Sequence, residues 1–142
     1  MSNECKDWLA DTMVQSALAI ASLYHRNQKR KYTGEPYIEH PKLVAKIITD
    51  YMEACDDIPL FAFDPMDYSV IQSAALLHDT IEDTNATYEE IQKVFGKSVC
   101  DLVYWLTDDL TSADGNRKFR KQKYLEKIVD SPYDAKCLKI AD

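Results

Sequence analysis

The segment LLHDTIEDT, residues 76–84, concentrates one imidazole and three carboxylates within a few positions: His78, Asp79, Glu82 and Asp83. If this segment is an α-helix, each residue advances about 100° around the axis, so the four side chains fall within an arc of about 140°. Like charges this close repel each other and raise one another's pKa unless a positive charge lies among them. A divalent cation is the simple remedy, and imidazole nitrogen with carboxylate oxygen suits Mn²⁺, Fe²⁺, Zn²⁺ or Mg²⁺.

A simpler interpretation of this cluster is an acidic helix end that only faces water. The apolar run AALL directly precedes it, which predicts that the polar group emerges from the core rather than from an open surface. From the residue types and their spacing alone, a metal site and a solvated helix end both remain open.

Two further residues could complete a metal site. His40 stands at the predicted start of a helix, and Asp142 ends the apolar segment CLKIAD. Together with His78 and Asp79 they would form a mixed nitrogen and oxygen site with positions left for water and substrate. The alternatives are an ordinary capping or surface histidine for His40 and a disordered terminus for Asp142.

The elements that must carry these side chains are predicted to be helical. Only 3 Gly and 5 Pro are present, which argues against a sandwich or barrel of many short strands. We predict an all-α bundle of about seven helices. Four of them are predicted over residues 5–27, 68–83, 97–109 and 117–129. A fifth begins at Pro41 with His40 as its N-cap, and a short sixth follows a Thr87–Glu90 capping box and stops at Gly96. The seventh has Ser131 as its N-cap and Pro132 at its first position. Residues 56–67 and 112–116 are predicted to be connections.

Composition limits the class of protein. A chain of 142 residues with 46% hydrophobic content fits one compact domain, spanning residues 1–142. A net charge of −7 argues against a protein that coats nucleic acid or an anionic membrane. The four cysteines have no CxxC spacing and indicate unpaired thiols. The polar N-terminus and the lack of a long apolar run predict a soluble cytoplasmic protein.

Several motifs occur in an order typical of one known family. RKYTGEPYIEHP, AALLHDTIEDT, FG, LTDD, NRK and LKIAD follow one another along residues 14–142. In this the chain resembles the HD hydrolase domains of the RelA/SpoT proteins and the small stand-alone alarmone hydrolases related to metazoan SpoT homologues. The resemblance implies an HD-type metallohydrolase that removes the 3′-pyrophosphate of (p)ppGpp to leave GDP or GTP.

The resemblance also implies roles for individual residues. It assigns Mn²⁺ to His40, His78, Asp79 and Asp142, and it makes Glu82 and Asp83 the catalytic acidic pair. It assigns nucleotide contacts to Arg30 and Lys31 and phosphate contacts to Lys97 and Arg117. Elementary chemistry agrees, because a divalent ion lowers the pKa of water while Glu82 or Asp83 could orient that water and accept its proton. Tyr32 and Tyr37 could stack on a purine or simply pack against the protein.

The chain departs from the family pattern at its end. Family members usually have an asparagine about one turn beyond the position of Asp142, and without it weaker metal affinity or reduced activity is expected. Two rival functions remain: the same site could act on ppApp or NADPH, or the chain could be a truncated, weakly active regulatory module that binds nucleotides. The predicted partner is a small nucleotide, with no nucleic acid or membrane, and the oligomeric state stays open.

Overall fold

The computed structural model describes residues 11–56 and 65–142, and in these ranges the protein is all-α, as predicted. An isolated antiparallel bridge between Lys29 and Pro36 is the sole β-type pairing of the described residues. No helix in these ranges is long and apolar enough to cross a membrane. The helices are α1 (Thr12–Tyr24), α2 (Glu39–Asp56), α3 (Pro65–Leu77), α4 (Thr80–Asp83), α5 (Tyr88–Phe95), α6 (Lys97–Leu106), α7 (Arg117–Val129) and α8 (Tyr133–Ala141), with a 3-10 turn at Ser112–Asp114.

Helix α3 is the centre of the bundle. Its last four residues, Ala74 to Leu77, form an apolar run around the whole end of the helix, and they are fully buried. It packs against α1, α2, α6 and α8. Leu138 of α8 is also fully buried, and burying a leucine side chain contributes about 2 kcal/mol. This packing holds the end of α8, where Asp142 lies, against the end of α3, where the histidine and carboxylate cluster begins.

The single helix predicted over residues 68–83 is wrong, because the chain breaks at His78 and Asp79 between α3 and α4. His78 Nδ1 lies 2.6 Å from the carbonyl oxygen of Ala75, and Thr80 Oγ1 donates to the carbonyl oxygen of Leu77 at 2.7 Å. These side chains take up carbonyls that a continuous helix would pair with backbone N–H groups, and such competition interrupts helices. The cluster is therefore divided: His78 and Asp79 lie on the turn, whereas Glu82 and Asp83 lie on α4.

Several predicted helix boundaries also need correction. Helix α1 ends at Tyr24 rather than at residue 27, because His25 is its C-cap and a turn follows. Helix α2 begins at Glu39, so His40 is inside its first turn rather than the N-cap; the N–H groups of Glu39 and His40 donate to the carbonyls of Pro36 and Tyr37 and extend the helix backwards. Helix α6 ends at Leu106, because Thr107 is extended.

Helix α8 starts at Tyr133 with Pro132 as its N-cap. The Ser131 hydroxyl donates backwards to the carbonyl of Ile128 instead of capping α8.

Other local predictions are confirmed. Thr87 and Glu90 form a reciprocal capping box at the start of α5, which stops at Phe95 with Gly96 as its C-cap. Helix α7 spans the predicted residues 117–129. The predicted connection at residues 56–67 falls mostly outside the described ranges, as does the beginning of the predicted first helix; Asp56 still belongs to α2, and α3 begins at Pro65.

Candidate metal centre

Four side chains from three parts of the chain converge at one point. His40 comes from the first turn of α2, His78 and Asp79 from the turn after α3, and Asp142 from the end of α8. His40 Nε2 lies 2.8 Å from Asp142 Oδ1 and 3.7 Å from Asp79 Oδ2. The ligand atoms of His40, His78 and Asp79 all lie within 4.8 Å of one another, a spread close to that of donors on opposite sides of one ion with bonds of roughly 2.0–2.2 Å.

His78 has the orientation of a metal ligand. Its Nδ1 must donate to the carbonyl of Ala75, since a carbonyl only accepts, and this leaves the lone pair of a neutral ring on Nε2. Nε2 lies 3.1 Å from Asp79 Oδ2 and 3.3 Å from Asp142 Oδ1, yet it is buried without a hydrogen-bond partner among the described residues. A buried nitrogen aimed between two carboxylates fits a divalent cation, and a backbone bond at the other nitrogen is how proteins fix such a ring.

The electrostatics of the cluster favour positive charge. Burial would lower the pKa of His78, but the carboxylates of Asp142 and Asp79 outweigh burial and raise it. Burial likewise would raise the pKa of Asp79, whereas the contacts with His78 outweigh it and lower that pKa. The pKa of Asp142 is lowered, first by the hydrogen bond from His40, then by His78 and, less strongly, by Lys139, whose Nζ lies 3.3 Å from Asp142 Oδ2. Two carboxylates in such a site suit an ion with two positive charges.

Glu82 and Asp83 lie on α4, one turn beyond Asp79. Glu82 Oε1 accepts a hydrogen bond from the backbone N–H of Asp108 at 3.1 Å, a contact that exists because α6 has already ended. Burial, followed by the negative charge of Asp79, raises the pKa of Glu82 to about 7. Asp83 Oδ2 accepts from Gln28 Nε2 at 3.4 Å. A carboxylate with a pKa near neutrality is suited to accept a proton at physiological pH.

Arg30 and Lys31 lie on a tight hairpin between α1 and α2. The N–H of Arg30 donates to the carbonyl of Glu35 at 2.8 Å, and the N–H of Gly34 donates back to Arg30 at 3.0 Å. Gly34 has φ +74°, a conformation that favours glycine. The base of this hairpin contacts the acidic cluster through Gln28 and Tyr37. Among the described residues no contact joins the side chains of Arg30 or Lys31 to the centre, and their nucleotide-binding roles stay predictions.

Lys97 and Arg117 are not brought to the centre by any contact of the described residues. Lys97 is the first residue of α6 and pairs with Asp101 on its own helix. The opposite end of α6 leads to Asp108, so Lys97 is separated from the Glu82 contact by the helix length of about 15 Å. Arg117 is an exposed residue at the start of α7. Their phosphate-binding roles stay predictions.

The sequence pattern carries no signal for His25 and Gln28, and it leaves the role of Tyr37 open. Tyr37 is predicted either to stack on a purine or to pack against the protein. In the structure its hydroxyl donates to Asp79 Oδ2 at 2.6 Å, and its ring lies 4.8 Å from that of His25. Burial, followed by the hydrogen bond to Asp79, raises the pKa of Tyr37. Gln28 donates to Asp83, and His25 contacts Gln28. The sequence does not reveal this link, because Asp83 is 55 residues from Gln28.

Comparisons with known proteins found a matching family model and several similar relatives. The HD domain family model matches residues 17–128. The guanosine-3′,5′-bis(diphosphate) 3′-pyrophosphohydrolase MESH1 of Danio rerio is 40% identical over 124 residues, covering 87% of this chain and 61% of that protein. The bifunctional (p)ppGpp synthase/hydrolase SpoT of Escherichia coli is 37% identical over 114 residues, covering 80% of this chain and 13% of that protein.

A solved structure described as a metazoan ortholog of SpoT that hydrolyses ppGpp superposes with a TM-score of 0.74 at 34% identity, covering 92% of this chain and 66% of that one. The chain thus spans about three fifths of the length of the MESH1 relatives it matches. The matched family model covers both histidines and three of the four carboxylates of the cluster, with Asp142 beyond it. Because the family model matches most of its length, the chain belongs to the HD domain family.

Proposed function

We propose that this protein is a metal-dependent hydrolase that removes the 3′-pyrophosphate of (p)ppGpp. The observation that carries the proposal is the convergence of His40, His78, Asp79 and Asp142 beside a separate acidic pair, Glu82 and Asp83. A pure binding module has little use for two extra carboxylates at the edge of a cation site, since they add repulsion. The names of the relatives, guanosine-3′,5′-bis(diphosphate) 3′-pyrophosphohydrolase among them, support the substrate class.

The proposed cofactor is Mn²⁺, held by the two histidines and by Asp79 and Asp142. The donor set of imidazole nitrogen and carboxylate oxygen, with no thiolate among its members, suits Mn²⁺ better than structural zinc. When bound, the ion supplies a Lewis acid that lowers the pKa of water and offsets negative charge on the phosphoryl oxygens. Tyr37 holds Asp79 through its hydroxyl, and Lys139 holds Asp142, so both carboxylates are oriented by protein contacts.

Glu82 and Asp83 act on the attacking water. In the reaction, water adds to the phosphorus bonded to the 3′ oxygen, and the bond from phosphorus to that oxygen breaks. ppGpp and water give GDP and pyrophosphate, and pppGpp gives GTP. Glu82 orients the water and accepts its proton, with the backbone N–H of Asp108 fixing the carboxylate. Asp83, held by Gln28, supports this orientation. Arg30 and Lys31 on the adjacent hairpin contact the nucleotide and reduce the charge that builds up on it.

The test is turnover of ppGpp, ppApp and NADPH in the presence of Mn²⁺, with products resolved by anion exchange. We expect GDP and intact pyrophosphate from ppGpp and loss of turnover with a chelator. His78→Ala and Asp79→Ala should abolish turnover, while Asp50→Asn, which changes an exposed carboxylate paired with Lys46 on α2, should not. Preference for ppApp or NADPH would reassign the substrate to those nucleotides. No turnover of any substrate by protein with bound metal would favour the regulatory binding module.

A further inference from the structure

A buried histidine outside the candidate metal-ligand group is linked to the acidic pair through Gln28. His25 follows the last residue of α1, and only 2% of its surface is exposed. Its ring packs against the ring of Tyr37 at a centroid distance of 4.8 Å. His25 lies outside the group of residues suited to hold the ion, so the metal chemistry gives no reason for a buried imidazole at this position.

His25 is joined to Asp83 by one side chain. His25 Nδ1 lies 2.8 Å from Gln28 Oε1, and Gln28 Nε2 lies 3.4 Å from Asp83 Oδ2. A carboxylate only accepts, so the amide must turn its NH₂ group towards Asp83 and its oxygen towards His25. His25 must then donate from Nδ1. The negative charge of Asp83 therefore sets the direction of both hydrogen bonds, from His25 to Gln28 and from Gln28 to Asp83.

Backbone contacts fix the position of Gln28. Its N–H donates to the carbonyl of His25 at 2.9 Å, and its carbonyl accepts from the N–H of Tyr37 at 2.9 Å. Because Tyr37 in turn donates to Asp79, the hairpin base connects the acidic pair with the metal ligands. A neutral amide can orient Asp83 without neutralising it, whereas a lysine or arginine in its place would compensate its charge.

We propose that His25 and Gln28 are positioning residues for hydrolysis, which hold the carboxylate of Asp83 in its working orientation. This inference rests on the proposed function. Loss of the Nδ1 donor frees the Gln28 amide to rotate, and Asp83 then loses its directed hydrogen bond. A misplacement of a reacting group by about 1 Å can cost up to roughly a hundredfold in rate, so we expect losses of roughly tenfold in kcat from a hydrogen bond as long as 3.4 Å.

The experiment compares substitutions that separate the donor from the ring. His25→Phe keeps an aromatic ring against Tyr37 and removes the donor, while His25→Asn keeps a donor near the position of Nδ1. Gln28→Leu removes the link itself. We expect His25→Phe and Gln28→Leu to lower kcat for ppGpp about tenfold, with KM and Mn²⁺ affinity within about twofold, and His25→Asn to recover most of the loss.

A matched control is Gln72→Leu. Gln72 is a buried amide on α3 that donates to Thr49 Oγ1 at 3.0 Å, away from the centre. Its loss should lower the melting temperature and leave kcat unchanged.

The results distinguish the two hypotheses. Failure of the unsubstituted, metal-loaded protein to hydrolyse ppGpp would overturn the proposed function and this inference with it. Turnover by the unsubstituted protein together with full kcat in Gln28→Leu would overturn the positioning role alone. Equal losses in His25→Phe and His25→Asn would also overturn the role of the donor, because only the packing of the ring would then matter. Recovery of kcat in His25→Asn supports the proposal when its melting temperature is no higher than that of His25→Phe, because the recovery then does not come from a more stable fold.

Discussion

Asp142→Asn should remove most of the stabilisation that a divalent ion gives to the fold. In the structure the Asp142 carboxylate lies 2.8 Å from His40 Nε2 and 3.3 Å from His78 Nε2, so it joins α8 to both histidines. An ion that binds only the folded protein stabilises it by about 2.7 kcal/mol at a free concentration of 100 times Kd. If the neutral amide weakens binding about a hundredfold, the same ion concentration stabilises the variant by only about 0.4 kcal/mol.

These energies translate into a measurable thermal shift. The unfolding entropy is about 2.1 cal/mol/K per residue, or about 0.3 kcal/mol/K for 142 residues. Mn²⁺ should therefore raise the melting temperature of the unsubstituted protein by about 9 °C and that of Asp142→Asn by only about 1 °C. The assay is differential scanning fluorimetry with and without Mn²⁺, checked by calorimetry for reversibility.

The matched control is Asp50→Asn, which changes an exposed carboxylate on α2 that pairs with Lys46. It should keep the full metal-dependent shift. An equal shift in Asp142→Asn and in the unsubstituted protein would refute the assignment of Asp142 as a ligand. No shift in any of the three proteins at millimolar Mn²⁺ would refute the metal centre as a whole.

Three further predictions concern Tyr37 and Glu82 at the site and Gly96 between α5 and α6. Tyr37→Phe removes the hydroxyl that holds Asp79 at 2.6 Å, and should weaken Mn²⁺ binding by about tenfold in a calorimetric titration; unchanged affinity would contradict that role. In the metal-free protein the pKa of Glu82 is raised from 4.5 to about 7, so folding favours its protonated form, and that contribution is complete below pH 4.5 and lost as pH rises through 7. The free energy of unfolding of Glu82→Gln should therefore rise relative to that of the unsubstituted protein between about pH 5 and 8. The gain should be no more than roughly 1 kcal/mol, because the side chain keeps contact with water. A difference in urea unfolding that does not change with pH would contradict the raised pKa of Glu82. Gly96→Ala should lower the free energy of unfolding by about 1–3 kcal/mol in the same assay, because φ of +89° with ψ of 175° is a conformation open almost only to glycine. The added carbon itself meets no atom within 4 Å, so the backbone alone causes the loss. A loss below about 0.5 kcal/mol would show that the turn relaxes.

Features decided by neighbouring residues could be predicted from the sequence. The Thr87–Glu90 capping box, the stop at Gly96 and the bounds of α7 all depend on side chains within a few positions, and all are confirmed. The burial of His78 also followed from local order, because the apolar run before it had to enter the core. The ligand set itself came from a family resemblance, since residue spacing alone left a solvated helix end equally open.

Features decided by distant contacts could not be predicted in this way. Helical periodicity runs through residues 68–83, but the chain breaks where His78 and Thr80 bond to backbone carbonyls, a choice that depends on what packs around the turn. The end of α6 at Leu106 lets the N–H of Asp108 reach Glu82, 26 residues earlier. The link from Gln28 to Asp83 likewise has no local signature.

The convergence of His40 and Asp142 has a consequence for how the protein assembles. These residues are 102 positions apart, and closing a loop of that length costs conformational entropy that no local segment can offset. The chain must dock α2, α3 and α8 before the last ligand reaches the others. Because contacts of high sequence separation form slowly and late, binding of the ion in a refolding experiment should report completion of the bundle rather than formation of its helices. A helical but metal-incompetent intermediate, visible by far-ultraviolet circular dichroism, should precede the native state.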